Sequence, residues 1–148
     1  MSTVSLRRAD PDDHLAVVRL FDAAMLETDA DRLRRQLEAT AGFVLLATIK
    51  ERPVGAVAVD TGPAAATQLV EGDPARITAI AVRRRRRDRG IGRQLLMAAA
   101  DRVGPRPLTA IFDKRVRPFY RACGFEIEPY EGRYWGCRQP SGAALGSE

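Results

Sequence analysis

Residues 82–92 read Val-Arg-Arg-Arg-Arg-Arg-Asp-Arg-Gly-Ile-Gly. An apolar run, Ile77 to Val82, leads into them, and an apolar-periodic segment, Ile91 to Val103, leads out. The chain must therefore pass from a strand to a helix through a turn made of glycine and arginine. Such a turn gathers backbone N–H groups beside the positive end of a helix dipole, a setting that suits a phosphate. The five consecutive arginines supply charge, but the glycine spacing restricts the backbone more tightly.

At 148 residues the chain has the length of one ordinary domain, and 45% hydrophobic with 29% charged residues is a soluble globular composition. We expect a single domain over residues 1–148, ordered over about 4–138, with a small, polar, flexible tail at 139–148. No apolar run approaches the ~20 residues that span a bilayer, and the N-terminus lacks the order of a secretory signal. A cytoplasmic protein without a membrane partner is the expectation. Two cysteines and one histidine exclude a disulfide framework and offer no metal-ligand spacing, so no metal is expected. The net charge of +5 favours an anionic partner, either nucleic acid or a phosphorylated small molecule.

The rest of the chain reads as alternating elements. Val4 to Arg8 is a short strand, and Asp10-Pro11 starts a helix with Leu15, Val18, Phe21 and Met25 as its apolar positions. A second helix runs from Thr28 or Asp29 to about Thr40, ending before Gly42. Phe43 to Ile49 and Val54 to Val59 form a hairpin through Lys50 to Pro53, and a short strand is placed around Gln68 to Glu71 within a long connection. After the strand to Val82 and the helix from Gly90 to Val103 come a strand, Leu108 to Phe112, and a short helix, Val116 to Ala122, stopped by Gly124. Phe125 to Tyr130 and Arg133 to Cys137 close the chain as a hairpin. The order is β-α-α-β-β-β-α-β-α-β-β: an α/β (α+β) chain with a mixed sheet and helices on its faces.

The glycine turn lacks the third glycine of a dinucleotide fingerprint and the Gly-Lys-Ser/Thr of a Walker loop. Its spacing is instead Val82, four residues, Arg87, two residues, Gly90, one residue, Gly92. Downstream, Phe119-Tyr120 is followed after three residues by Gly124-Phe125. These two motifs, with the element order across residues 4–138, resemble the GNAT superfamily of acyl-CoA-dependent N-acetyltransferases. The resemblance implies a mixed, mostly antiparallel sheet whose central strands splay apart. It implies acetyl-CoA as co-substrate and an amine as acceptor, and it leaves homodimerisation open.

Within that resemblance, the backbone from Arg87 through Asp88, Arg89, Gly90, Ile91 and Gly92 to Arg93 would bind the pyrophosphate. The backbone of Ile80, Ala81 and Val82 would pair with the pantetheine arm, and one of those N–H groups would polarise the thioester carbonyl. Tyr120 would be the general acid for the departing thiolate; the other reading is that it only lies against the pantetheine sulfur. Asp113 stands where many members have Asn, able to accept a hydrogen bond from pantetheine but not to donate one while ionised. Arg76 stands where some members place a glutamate base, so the base is unassigned, with Glu71, Asp73 and Glu128 as candidates that read first as surface charges.

Three features have ordinary readings. His14 is expected exposed, Cys123 a small core residue, and Tyr130, Tyr134 and Trp135 core residues; the resemblance sets their hairpin beside the acceptor channel, and contact with the substrate is the other reading. A basic nucleic-acid-binding module and a non-catalytic CoA-binding module are the competing classes. The first lacks aromatics interleaved with the arginines, so those arginines read better as the rim of a phosphate site.

Overall fold

The computed structural model describes residues 3–140; residues 141–148, most of the expected tail, lie outside them. Seven strands form one sheet in the order β1-β2-β3-β4-β5-β7-β6. They are β1 (Val4–Arg8), β2 (Gly42–Ile49), β3 (Arg52–Asp60), β4 (Ala75–Val82), β5 (Leu108–Phe112), β6 (Glu126–Tyr130) and β7 (Arg133–Arg138). The helices are α1 (His14–Ala23), α2 (Ala30–Leu37), α3 (Ile91–Val103) and α4 (Arg117–Ala122). The element order read from the sequence is the one observed.

All neighbouring strands run antiparallel except β4 and β5, which the α3 crossover makes parallel. Two apolar layers cover the sheet. On one face α3 lays Ile91, Leu95, Leu96, Ala99 and Val103, all buried, over Leu45, Val57 and Ile77. On the other, α1 and α2 lay Val17, Leu20, Phe21, Leu33 and Leu37 over Val44, Leu46, Ala56 and Ala58. With both faces covered, β2 is buried along its whole length and shows no alternation in its sequence, Gly-Phe-Val-Leu-Leu-Ala-Thr-Ile.

Local details depart from the sequence reading in informative ways. Asp10 caps a 3₁₀ turn, Pro11–Asp13, through a capping box, and α1 proper starts only at His14. The tighter winding advances the helix phase, so Val17, Leu20 and Phe21 face the core while Leu15 is 59% exposed. Met25, expected inward, is 87% exposed because the chain leaves the helix there in a left-handed conformation, φ 62°. His14, expected exposed, is half-buried.

The second helix stops at Leu37, and Ala39 (φ 59°) makes the left-handed exit expected of Gly42. Gly42 instead opens β2, where a Cβ would run into the Val59 carbonyl oxygen across the strand pair. The β2–β3 turn is tighter than four residues: Lys50 and Glu51 alone turn the chain, both at positive φ. Gln68 to Glu71 is an irregular connection, not a strand; Arg106 fastens that connection at both ends, through the Thr61 carbonyl and the Asp73 carboxylate.

Three substitutions test these features. Asp10→Ala removes the cap and should cost about 1 kcal/mol in chemical denaturation, whereas Gly42→Ala should cost more than about 1 kcal/mol because strain and collision add. The hydrogen bond from Arg7 holds the Asp13 carboxyl below its ordinary range. A carboxyl lowered in the folded state contributes stability above its unfolded value of 3.8 and loses it as pH falls through the folded value. Asp13→Asn should therefore be less stable than wild type near neutrality, and the gap should close on acidification below about pH 4, read by denaturant midpoint against pH.

Candidate active site

Strands β4 and β5 pair through three positions only, Ala75↔Leu108, Arg76↔Thr109 and Ile77↔Ala110. Beyond them β4 continues to Val82 along β3, and β5 continues to Phe112 along β7. The sheet therefore opens between Thr78–Val82 on one side and Ile111–Phe112 on the other. The splay coincides with a bulge: Val59↔Ile77 is followed by Ala58↔Ala79, so Thr78 is an extra residue in β4. The bulge reverses the alternation. Before it Ala75 and Ile77 face α3; after it Ile80 and Val82 do, while Ala79 and Ala81 turn to the α1–α2 face.

A buried polar network holds that bulge. The Gln36 amide of α2 donates to Asp60 Oδ1 at 2.9 Å and to Thr78 Oγ1 at 3.0 Å, and the Thr78 hydroxyl donates to the Ala58 carbonyl at 3.3 Å. Arg32 stands 3.4 Å from Asp60 Oδ2. Composition and motif spacing carry no sign of this network; its one trace is Gln36, a polar residue on the buried face that α2 otherwise fills with Leu33 and Leu37.

Past Val82 the chain makes a 3₁₀ turn, Arg84–Arg86, then turns through Asp88 (φ 63°) and Gly90 (φ 79°) into α3. The first bond of α3 runs from Gln94 N–H to the Gly90 carbonyl. No side chain caps this helix. Among the described residues, the N–H groups of Asp88, Arg89, Gly90, Ile91, Gly92 and Arg93 have no hydrogen-bond partner. Six donors on one turn, beside a positive dipole end and exposed arginines, form a receptor for an oxyanion group.

The two glycines work for different reasons. Gly90 needs its left-handed conformation and faces open space. Gly92 has an ordinary φ, but a Cβ on it would lie 3.2 Å from the Phe119 ring, so it lets α3 approach α4.

The arginines also divide. Arg83, Arg87 and Arg93 are tied to the carbonyls of Pro53, Val82 and Ala122, so they brace the turn. Arg84, Arg85 and Arg89 are exposed and make no side-chain hydrogen bond among the described residues.

Across the opening lies Tyr120, 4% exposed, in an aromatic group. Its ring stacks on Phe112 with centroids 4.2 Å apart and meets Phe119 and Phe125 edge-on at 5.3 and 5.1 Å. Gly136 of β7 lies beneath, where a Cβ would stand 3.0 Å from Phe112 and 3.1 Å from Phe125. Burial pushes the Tyr120 phenol well above its ordinary value, and the neighbouring Cys123 adds to the rise, so the phenol stays protonated. Cys123 is buried, as expected of a core residue.

Asp113 follows β5 at the mouth of the opening, but its Oδ1 is held by Arg133 at 2.8 Å, which leaves Oδ2 free. Tyr134 is half-buried under the Arg117 guanidinium, 4.9 Å above its ring, and Trp135 is buried. The three carboxylates considered as bases, Glu71, Asp73 and Glu128, are all exposed, and Asp73 pairs with Arg106. Arg76 lies directly opposite Asp60 in the β3–β4 register. Among the described residues no helix is long and apolar enough to cross a membrane, and no group of three side chains could hold a metal.

Solved structures share this architecture. A GNAT-family protein from Desulfovibrio desulfuricans superposes with a TM-score of 0.74 at 24% identity, covering 94% of this chain and all of its own. Arabidopsis thaliana NAA60, seen with acetyl-CoA, gives 0.78 at 16% identity over 93% of this chain and 98% of its own. Escherichia coli YhbS, seen with CoA, gives 0.76 at 19% over 98% and 86%. No curated protein matches the sequence. The sequence profile described as "Acetyltransferase (GNAT) family" matches residues 10–125, most of the chain and both motifs with it. With that match over a sheet that splays beside an uncapped glycine turn, the chain belongs to the GNAT acetyltransferase family.

Proposed function

We propose that the chain transfers an acetyl group from acetyl-CoA to a primary amine by direct attack. The observation that carries this reading is the convergence, at one end of β4, of an unpaired strand edge, the six unpaired N–H groups of the α3 turn and the protonated Tyr120. The turn receives the pyrophosphate through the backbone of Arg87 to Arg93, with the exposed Arg84, Arg85 and Arg89 as a cationic rim for the remaining phosphate. The pantetheine arm lies in the splay as an added strand against Ile80 to Val82, and Asp113 Oδ2 accepts from one of its amides.

The amine comes from the α1–α2 face. Its lone pair attacks the thioester carbonyl carbon, forming the C–N bond while the carbonyl π electrons pass to oxygen. A backbone N–H of Ile80, Ala81 or Val82 stabilises that oxyanion. Collapse re-forms the carbonyl and breaks the C–S bond, and the thiolate takes the Tyr120 proton. The attacking nitrogen releases its surplus proton to water.

A phenol raised by burial is a weaker acid. The departing thiolate, however, develops in the same apolar surroundings, which raise the thiol as well, so the two stay matched. Neither Cys123 nor Cys137 is placed as an acyl carrier: both are buried, and burial raises both thiols.

Gly90→Asp and Gly90→Asn separate charge from shape, since both residues tolerate the left-handed conformation and the space beside Gly90 is open. Calorimetry should show acetyl-CoA affinity falling at least about tenfold further for Asp than for Asn; equal affinities would remove the turn from the phosphate site. Tight, salt-sensitive DNA binding indifferent to CoA would replace the enzyme reading with nucleic-acid binding.

Tyr120→Phe should lower kcat on the order of a hundredfold with acetyl-CoA affinity retained. Because the phenol holds its proton, that deficit should be constant between roughly pH 7 and 9. An unchanged kcat would reduce Tyr120 to a packing role.

A further inference from the structure

The register of β4 decides which of its backbone N–H groups face the opening. The Arg83 N–H bonds the Val54 carbonyl. Bonding residues alternate along an antiparallel pair, so Ala81 and Ala79 also turn their N–H groups to β3, opposite Ala56 and Ala58. Ile80 and Val82 are left with theirs toward the opening. Ahead of the bulge the parity is the other one, because the Ala75 N–H bonds the Pro107 carbonyl on the β5 side. At the extra residue, Thr78, odd positions hand that edge to even ones.

Side-chain burial alone places this bulge weakly. Moving the extra residue from Thr78 to Ile80 would re-aim only Ala79 and Ile80, both half-buried where they stand. It would also turn the Ile80 N–H into the sheet and bring out that of Ala79, one strand residue or about 3.4 Å away. The polar network removes this freedom. A carboxylate only accepts, so Asp60 Oδ1, at 2.9 Å, fixes which way round the Gln36 amide sits. The second N–H of that amide donates to Thr78 Oγ1 at 3.0 Å, and the Thr78 proton goes on to the Ala58 carbonyl at 3.3 Å. The relay runs in one direction and ends on the β3 residue opposite Ala79. Arg32, 3.4 Å from Asp60 Oδ2, and Arg76, opposite Asp60 in the register, balance the carboxylate charge.

Resting on the acetyl-transfer reading above, we infer that Gln36 and Thr78 are positioning residues, which through the bulge hold the Ile80 N–H where it polarises the thioester carbonyl. The phosphate turn lies past Val82, so a pantetheine arm running back along β4 brings its thioester to Ile80, the deeper of the two free N–H groups. The turn is braced separately, by Arg83, Arg87 and Arg93, so donor affinity does not depend on the relay.

The test needs no acceptor. Acetyl-CoA isotope-labelled at the thioester carbonyl is bound to each protein, and the carbonyl stretch is followed by infrared difference spectroscopy. A donor on the oxygen lowers that frequency. Wild type and Thr78→Ser, which keeps the hydroxyl, should therefore shift the bound carbonyl below its value in free acetyl-CoA. Thr78→Val and Gln36→Met should lose most of the shift while binding acetyl-CoA within about twofold of wild type. Thr78→Val leaves the bond from Gln36 to Asp60 intact, so it tests the relay even where Gln36→Met fails to fold. In the free wild-type protein, amide exchange should be at least about tenfold slower at Ala79 than at Ile80, and both substitutions should erase the contrast. Equal exchange at the two amides in wild type, or a carbonyl shift kept in full by Thr78→Val, overturns the assignment and leaves the transferase reading standing. An exchange contrast that Thr78→Val erases, in a protein that binds no acetyl-CoA, refutes the transferase reading and leaves the relay as what sets the free N–H.

Discussion

The parting of β4 from β5 after three paired residues is the constraint on which the rest of the molecule is arranged. Unpaired backbone groups inside a sheet are costly unless something satisfies them. Closing the gap would restore those bonds, so the open state has to be enforced from both sides. On the α3 side, Arg83 N–H bonds the Val54 carbonyl at 2.7 Å and holds the end of β4 to β3. On the other, Gln36 bridges Asp60 and Thr78 and fixes the bulge. β5 is kept away by its full pairing with β7. An edge held open in this way is a template for an extended ligand.

The bulge does more than interrupt pairing. By reversing which side chains face α3, it places two consecutive residues, Thr78 and Ala79, on the α1–α2 face while Ile80 and Val82 return to the α3 layer. One irregular residue therefore connects the Gln36 network on one face to the α3 turn on the other. The aromatic group around Tyr120 supplies the third wall, rigid because Phe112, Phe125 and Gly136 interlock at van der Waals distance. In the proposed transfer, donor binding, carbonyl polarisation and proton supply are assigned to three elements that meet at this opening.

Much of this was legible in the sequence. The α3 stripe Ile91, Leu95, Leu96, Ala99 and Val103 is buried as its period implied, Gly104 and Gly124 end their helices at positive φ, and the Glu131-Gly132 turn closes the last hairpin. These features depend on helical period or on a φ that favours particular residues, and both are local. The misreadings share a cause. Counting from Asp10 points Leu15 inward, and a single 3₁₀ turn shifts that count, while the left-handed exit from α1 turns Met25 out. Ala39, Lys50, Glu51 and Asp88 take left-handed conformations without being glycine, so no residue type marks these turns along the chain.

By itself the sequence determined the element order, the strand–turn–helix that exposes backbone donors and the residue pair Tyr120 and Gly124, since periodicity, glycine conformation and motif spacing are written along the chain. Only the tertiary structure decided where β4 leaves β5, that Gly92 serves the approach of Phe119, that Arg83, Arg87 and Arg93 brace the turn while their neighbours remain free, and that Thr28, Gln36, Asp60 and Thr78 gather on one face. Gln36 meets Asp60 across 24 positions and Thr78 across 42. Such contacts follow from sheet register and from the rotation of a helix against it, quantities fixed by packing two faces at once and carried by no single stretch of residues.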